Sequence, residues 1–354
     1  MASDSGSAVV RRPKRIQRAT MRDVAALAEV SAKTVSRVIN GEKYVSNEIA
    51  ERVRDAMERL DYRHNLAASQ LRAGTNAAAI GVILVDISNP FSSAVHRAIE
   101  DVFRPLGISV IAASTDEDAV REREAVVTFA ARRVDGLIIM PASHDHSYLS
   151  ADVRAGTHVI MIDRPPSFLN VDSVVSDNRA GATDGVRHLV KYGHRRIGFI
   201  GDWPEVVSSQ LRFEGYEDAL AAAGIDIDES VIVRGFDSPA DAEGAVVRML
   251  EVRDAPTAFF VAQNVLCGPV VRALRQVGQQ RSVAVVGFDG FEGADLVEPG
   301  LTVIAQDPFR IGELAAETLA GRLDGTIAST ASHHVLPTSL IERGSGELPG
   351  PFAS

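Results

Sequence analysis

Several polar side chains stand where apolar runs of the chain end, and their types suit a small polar ligand. Asp86 follows IGVILV and precedes the turn Asn89-Pro90-Phe91, and Asp163 and Arg164 follow HVIMI. Asn264 comes just after AFFVA, Asp289 follows VAVVGF, and Gln306 ends LTVIA. Arg212 heads an amphipathic stretch across 211–223. Carboxylates and amides pair with hydroxyls, and the planar fork of arginine fixes a ligand's orientation as well as attracting it. Phe91 and Phe236 offer rings to an apolar ligand face. Singly, a strand-end Asp is commonplace and Asn264 can cap a helix. Joint placement at strand ends is what points to a single cleft.

A second group has different chemistry. Ala32, Lys33, Thr34, Ser36 and Arg37 fall within six positions. Alanine packs on a thymine methyl, and lysine donates to guanine O6 and N7. Arg37 reaches base or phosphate, Ser36 is a more modest hydrogen bonder, and Thr34 can also face back into the protein. Thr20 and Asn40 lie at helix ends, where a phosphate meets free backbone N–H groups or a polar side chain.

These residues need helices to position them. Thr20 caps a first helix with Asp23 three residues on, the pattern of a capping box. Val24, Leu27 and Ala28 give it an apolar face. Val30 and Ser31 interrupt it, and Ser31 caps a second helix with Val35, Val38 and Ile39 inward. Asn40-Gly41 ends that helix. Ser46 opens a third, with Ile49, Val53, Met57 and Leu60 at helical spacing. This is a helix-turn-helix module, whose second helix enters the DNA major groove. Residues 1–75 carry a net charge of +5 and the rest −15, as befits a protein that meets phosphates with one end.

The cleft residues need a different frame. Strands at 80–86, 109–115, 136–140 and 158–164 alternate with helices at 93–104 and 118–132, and 174–178 closes this half. The pattern restarts with a helix at 179–192 and strands at 196–202, 231–235, 258–262 and 283–288, interleaved with helices at 211–223, 240–251 and 265–277. Residues 301–306 lead back to a helix at 308–321 in the first half, and SHHVLPTSLIERGS is a final strand-like return. Apolar strands spaced by amphipathic helices predict two doubly wound parallel-sheet lobes joined by several crossings.

Other classes fit poorly. The chain has no G-x-x-x-x-G-K-[ST] phosphate loop and no G-x-S-x-G elbow, so no catalytic constellation assembles and no enzyme is expected. HDH at 144–146 and HH at 333–334 have no further ligand arranged with them, so neither a metal nor a cofactor is expected. The single cysteine, Cys267, excludes a disulfide framework within the chain and reads as a core residue. MASDSGSAVVRRPKRIQR is not a secretory signal, and no stretch of eighteen apolar residues offers a membrane span. A cytoplasmic, nucleoid-associated protein is expected. A solute-binding protein shares the body's expected fold, but the head argues against it. A DNA binder without a small effector is the other alternative.

The run DVAALAEVSAKTVSRVINGEKYVSNEIAERVRDAMERLDYRHNLAASQL resembles the DNA-binding head of the lactose/galactose repressor (LacI) family of transcription regulators. V-S-x-x-T-V-S-R-V-x-N at Val30–Asn40 and L-x-Y-x-x-N at Leu60–Asn65 carry the likeness, and DNRAGATDGVRHLVKYGHRRIGFIGD and LTVIAQDPFRIGELAAETL extend it through the body. The resemblance implies a flexible basic tail over 1–19, a helix-turn-helix domain over 20–64 and a hinge helix and linker over 65–76. A periplasmic-binding-protein-like effector and dimerisation body would span 77–344, with a flexible end at 345–354. In the hinge, Asn65, Ala68 and Leu71 match residues that meet the minor groove, Leu71 as the apolar wedge. His64 and Leu66 stand where the family commonly has proline and arginine. Ala32 and Lys33 match the base-discriminating pair. Asp163, Arg212, Phe236, Asn264, Asp289 and Gln306 match effector-contacting positions. Val265 stands where the family has aspartate, which favours a less hydroxylated sugar, an altered polyol or a non-sugar metabolite. The implied function is a ligand-responsive repressor that binds a pseudo-palindromic operator as a homodimer, without membrane association.

Overall fold

The structure, a computed structural model, describes residues 19–39, 45–60, 62, 79–236, 238–328 and 330–353. The chain divides into two compact units at Ala77/Ala78.

The first unit contains three helices: α1 (Met21–Leu27), α2 (Ala32–Ile39) and α3 (Asn47–Arg59). Each start has a chemical cause. Thr20 Oγ1 accepts from the Asp23 backbone N–H while the Asp23 carboxylate accepts from Thr20 N, closing the capping box. Ser31 and Ser46 side chains accept from Thr34 N and Ile49 N. Val24, Ala25, Ala28, Val35, Val53 and Ala56 form the core. Leu27, expected inward, is 41 % exposed, because the face of this seven-residue helix that meets the core is the one bearing Val24, Ala25 and Ala28.

The second unit has two sheets, each of six strands. The first contains β1 (Ala79–Leu84), β2 (Ser109–Ser114), β3 (Gly136–Ile139), β4 (His158–Ile162), β5 (Asp172–Ser176) and β11 (His333–Leu336), in the order β11-β5-β4-β3-β1-β2. The second contains β6 (Ile197–Gly201), β7 (Ile232–Arg234), β8 (Ala258–Val261), β9 (Ala284–Phe288), β10 (Thr302–Ala305) and β12 (Ser339–Ile341), in the order β12-β10-β9-β8-β6-β7. All pairings are parallel except β10 with β12. The central strands are buried along their length and therefore read as unbroken apolar runs.

The helices are α4 (Pro90–Phe103), α5 (Ala119–Ala131), α6 (Ser150–Arg154), α7 (Asn178–Lys191), α8 (Val207–Ala222), α9 (Pro239–Leu250), α10 (Asn264–Gln276) and α11 (Pro308–Leu323). Two glycines set how closely paired helices approach. A Cβ on Gly312 would lie 2.4 Å from Val95 O, so α11 packs against α4 backbone to backbone. A Cβ on Gly215 would lie 2.3 Å from Arg179 O, and α8 meets α7 in the same way. The chain crosses between lobes after β5, after β10 and between β11 and β12. The final return is thus two strands, one in each sheet.

Two expectations change here. The helix placed at 211–223 begins at Val207, so Arg212 lies in its second turn instead of at its head. Val206 offers no side-chain cap, and the polar start VSSQ carries no apolar helical periodicity. Residues 345–353, expected as a flexible end, pack on the second lobe. Ser345 Oγ bridges Val285 O and Thr302 N, Gly350 N donates to Tyr192 O, and Phe352 N donates to Gly193 O.

Candidate functional site

The head presents one polar surface. Ala32, Lys33 and Arg37 are exposed on α2, while Thr34 and Ser36 are partly covered. Thr34 Oγ1 lies 2.9 Å from Ser31 Oγ, so it serves the helix start as well as the surface. Val35 faces the core with no exposure, which fixes the rotation of α2 and so which residues point outward. Arg52 Nη2 on α3 donates to Ala28 O, placing a cation at the end of α1. Thr20 is exposed, but its hydroxyl donates to the Asp23 carboxylate at 2.7 Å. That hydrogen bond, with the others from Thr20, holds the Asp23 carboxyl below its ordinary range. Asn40, Asn65, Ala68 and Leu71 lie outside the described residues.

In the body, strand ends from both lobes converge on one cleft. Phe91, Asp163, Arg212, Asn264, Asp289 and Gln306 all line it. Phe236 does not. β7 is an edge strand ending at Arg234, and the Phe236 side chain packs on the apolar cluster of the second lobe that includes Ile200, Val246 and Met249. Asp86 is likewise spent locally, accepting from Ser88 N and Ser88 Oγ. Val265 is 41 % exposed and is not among the lining residues.

Arg212 is buried at 7 % exposure. Its Nε donates to Asn178 Oδ1 at 2.8 Å, its Nη1 donates to Ala262 O at 2.7 Å, and the guanidinium lies 3.8 Å over the Phe288 ring. Two of its five N–H groups are thereby used. Burial lowers its pKa, while Asp163 and Asp289 oppose that shift.

The carboxylates differ in their support. Asp289, at the end of β9, accepts from Gln306 N at 2.9 Å and Gln306 Nε2 at 2.6 Å. Gln306 Oε1 is buried without a hydrogen-bond partner. Asp163 follows β4 with φ +67°, and its nearest cation is Arg164 Nε at 3.4 Å. Burial raises the pKa of both carboxyls, and for Asp163 it outweighs the neighbouring Arg164 and Arg212.

The sequence reading passed over Asp202 and Asn178, whereas Arg164 and Asn89 stood among its strand-end residues. Asp202 follows β6 as Asp163 follows β4, the same strand-end signal. It accepts from Gln263 Nε2 at 2.8 Å, and burial raises its pKa. Asn178 orients Arg212 and is recognisable only once α7 and α8 are in contact. Arg164 pairs with Glu117, with Nη1 2.7 Å from Oε2 and Nη2 also bonded to Oε1, and donates to Pro141 O. Asn89 caps α4 by accepting from Phe91 N, and also accepts from Asn264 Nδ2 at 2.8 Å. Asn89 Nδ2 donates back at 3.4 Å, so a reciprocal amide pair joins the lobes across the cleft.

With this pair made, the inner cleft retains an open volume of about 70 Å³. Its wall combines acceptors at Asp163, Asp202, Asp289 and Gln306 with a donor fork at Arg212. Such a wall suits a molecule rich in hydroxyl or N–H donors. Arg164 is already neutralised by Glu117, which leaves Arg212 to face three aspartates, and that balance disfavours an anionic ligand.

Residues 20–65 match the family of bacterial regulatory proteins of the lacI family, and residues 186–346 match the periplasmic binding protein-like domain. The HTH-type transcriptional regulator DegA of Bacillus subtilis is 31 % identical over 92 % of this chain and 97 % of its own length. The ribose operon repressor of Haemophilus influenzae is 31 % identical over 86 % of this chain and 92 % of its own. The crystal structure of the lac repressor dimer bound to operator and the anti-inducer ONPF superposes with a TM-score of 0.77 at 28 % identity, covering 93 % of this chain and 99 % of that one.

Proposed function

The chain belongs to the lacI family of bacterial regulatory proteins, and from that premise we propose that it is a repressor released from or driven onto its operator by a small, donor-rich polar effector. Its head is a sequence-specific DNA-binding module, and its body is a two-lobed ligand-responsive domain. The observation that carries the proposal is the joint presence, in one chain, of an exposed Ala32-Lys33 surface on α2 and a cleft lined by Arg212 and three aspartates, Asp163, Asp202 and Asp289.

One helix-turn-helix reads only a half-site, so a homodimer on a pseudo-palindromic operator is the working assembly. Base contacts from α2 supply discrimination, and contacts to phosphates supply much of the affinity and its salt dependence. The effector is a sugar, a polyol or a related neutral metabolite, held by Arg212 with Asp163, Asp289 and Asn264. Its entry displaces the Asn89–Asn264 pair, and the changed lobe arrangement alters operator affinity. By linkage, operator must change effector affinity by the same factor.

The test is a thermal-shift screen of the full chain against sugars, polyols and nucleosides, followed by operator titration with each hit. A hit that stabilises the protein and shifts operator affinity supports the proposal. Operator binding unmoved by every ligand that binds the body would leave a DNA binder without effector control.

A further inference from the structure

Beyond the inner cleft lies a second, larger space. It holds about 590 Å³ and adjoins the inner cleft through the shared residues Glu117, Arg164 and Val206. That size lies within the range of roughly 300–1,000 Å³ typical of small-molecule sites, whereas the inner cleft's 70 Å³ does not. Each lobe contributes one exposed aromatic to its wall: Phe168, 79 % exposed, from the first, and Trp203, 47 % exposed, from the second.

The wall is built and held. One face of the Trp203 indole is packed on Gly235, whose φ is +77° and where a Cβ would lie 2.7 Å from the ring. Only a residue lacking Cβ lets the chain pass beneath the ring in that conformation. The loop facing it is fixed by Glu122, which has no exposure and accepts from Ser143 N, Ala142 N and the Tyr148 hydroxyl. His146 accepts from Ser167 N at Nδ1, so its Nε2 carries the proton and donates to Ser143 O. The Ser167–His146 bond ties the loop that carries Ser143 to the segment bearing Phe168. Ser143, 8 % exposed, is among the residues that line the space, and its Oγ is buried just behind that wall without a hydrogen-bond partner.

We infer that this vestibule is a second subsite for a further sugar ring, so that the effector is a disaccharide or longer glycoside with one ring in the inner cleft. The inference rests on the proposed effector role of the inner cleft and deepens it. A pyranose has an apolar face for an aromatic side chain and edge hydroxyls for groups such as Ser143 Oγ. The charges at the vestibule are Glu117, paired with Arg164, and Glu205. With no surplus cation among these described lining residues, a phosphorylated second unit is disfavoured.

Trp203 is the chain's single tryptophan, so tryptophan fluorescence reports on this wall. Glucose, galactose, cellobiose, maltose, lactose and adenosine are titrated into the full-length protein, followed by fluorescence and by calorimetry. The inference expects a disaccharide to bind roughly tenfold or more tighter than its monosaccharide and to shift the Trp203 emission. Trp203→Ala should cancel that gain, Trp203→Phe should keep most of it, and Ser143→Ala should reduce it, with thermal denaturation confirming that each variant is folded. A monosaccharide bound as tightly as its disaccharides, with Trp203→Ala without effect, overturns the subsite and leaves the inner cleft standing. A gain shown by adenosine and by no disaccharide overturns the sugar assignment of the second ring. Binding of no probe to the folded protein overturns both the subsite and a sugar-binding inner cleft.

Discussion

Arg212 has two duties that a substitution must separate. It holds Asn178 and Ala262 inside the second lobe, and its remaining N–H groups face the cleft. Arg212→Ala leaves two buried acceptors unpaired, which costs about 1–3 kcal/mol each. Thermal denaturation should therefore show a marked fall in Tm, and the effector response should vanish. Arg212→Lys keeps the charge without the fork. It should recover part of the stability and none of the response, and calorimetry that found normal effector affinity in the lysine variant would remove Arg212 from the ligand site. In the head, Lys33 is exposed at the start of α2. Lys33→Ala should weaken true operator more than scrambled duplex by roughly 1–3 kcal/mol at one fixed salt concentration. Equal losses on both would make Lys33 a phosphate contact only.

Asp163 gives a pH-dependent prediction. Burial raises its folded pKa above the ordinary carboxylate value, so the protonated form favours the fold. That contribution is fully present below the unfolded pKa and is lost as pH rises through the folded one. Asp163→Asn mimics the protonated form, and asparagine tolerates the φ of +67° found there. The variant should melt a few degrees above the natural protein at pH 7–8, and the two should converge as pH falls towards the ordinary carboxylate range near 3.8. A constant difference across that range would show that the gain is not electrostatic.

At the level of elements, the cleft is set by helix starts. Asn89 precedes α4 in one lobe and Asn264 begins α10 in the other, and their amides pair across the gap. Asn89 Oδ1 also accepts from Phe91 N, and Asn264 Oδ1 from Val265 N, so each amide is oriented by its own helix. A hydrogen bond of this kind contributes about 0.5–1.5 kcal/mol net. Asn264→Ala should shift the lobes towards a more open arrangement by a factor of about two to twelve in population, seen as a larger radius of gyration in X-ray scattering. Scattering identical to the natural protein would mean that the crossings alone hold the lobes.

At the level of the molecule, the C-terminal segment is hydrogen-bonded into the second lobe. Glu347 accepts from Thr302 Oγ1 and Gly344 N and lies against His188 Nε2. His194, fully buried, contacts Thr257 Oγ1 at 2.9 Å and Leu348 O at 2.9 Å. Ending the chain after Gly344 would orphan these groups together. We expect a loss on the order of 3 kcal/mol or more, read as a lower denaturant midpoint. An unchanged midpoint would make the segment a passive covering.

The order of strands and helices, the charge split between head and body, and the three helix caps at Thr20, Ser31 and Ser46 were all legible in the sequence, because caps and periodicity act within a few residues. So was the position of Asp163, Asp289 and Gln306 at strand ends, since a parallel strand buried on both faces announces its own end. What the chain could not reveal alone depends on distant partners. Phe236 is apolar and follows a strand, yet the edge position of β7 sends it into the second lobe's core instead of the cleft. Asn178 acquires its role only because Gly215 lets α8 approach α7, bringing Arg212 within reach. The end GSGELPGPFAS is rich in turn formers and reads as loose, but its backbone groups find partners at Tyr192 and Gly193, more than 150 residues earlier. Local structure follows from local sequence. Which face of a residue meets the cleft, the core or another lobe is decided by contacts that form only when the sheets are assembled.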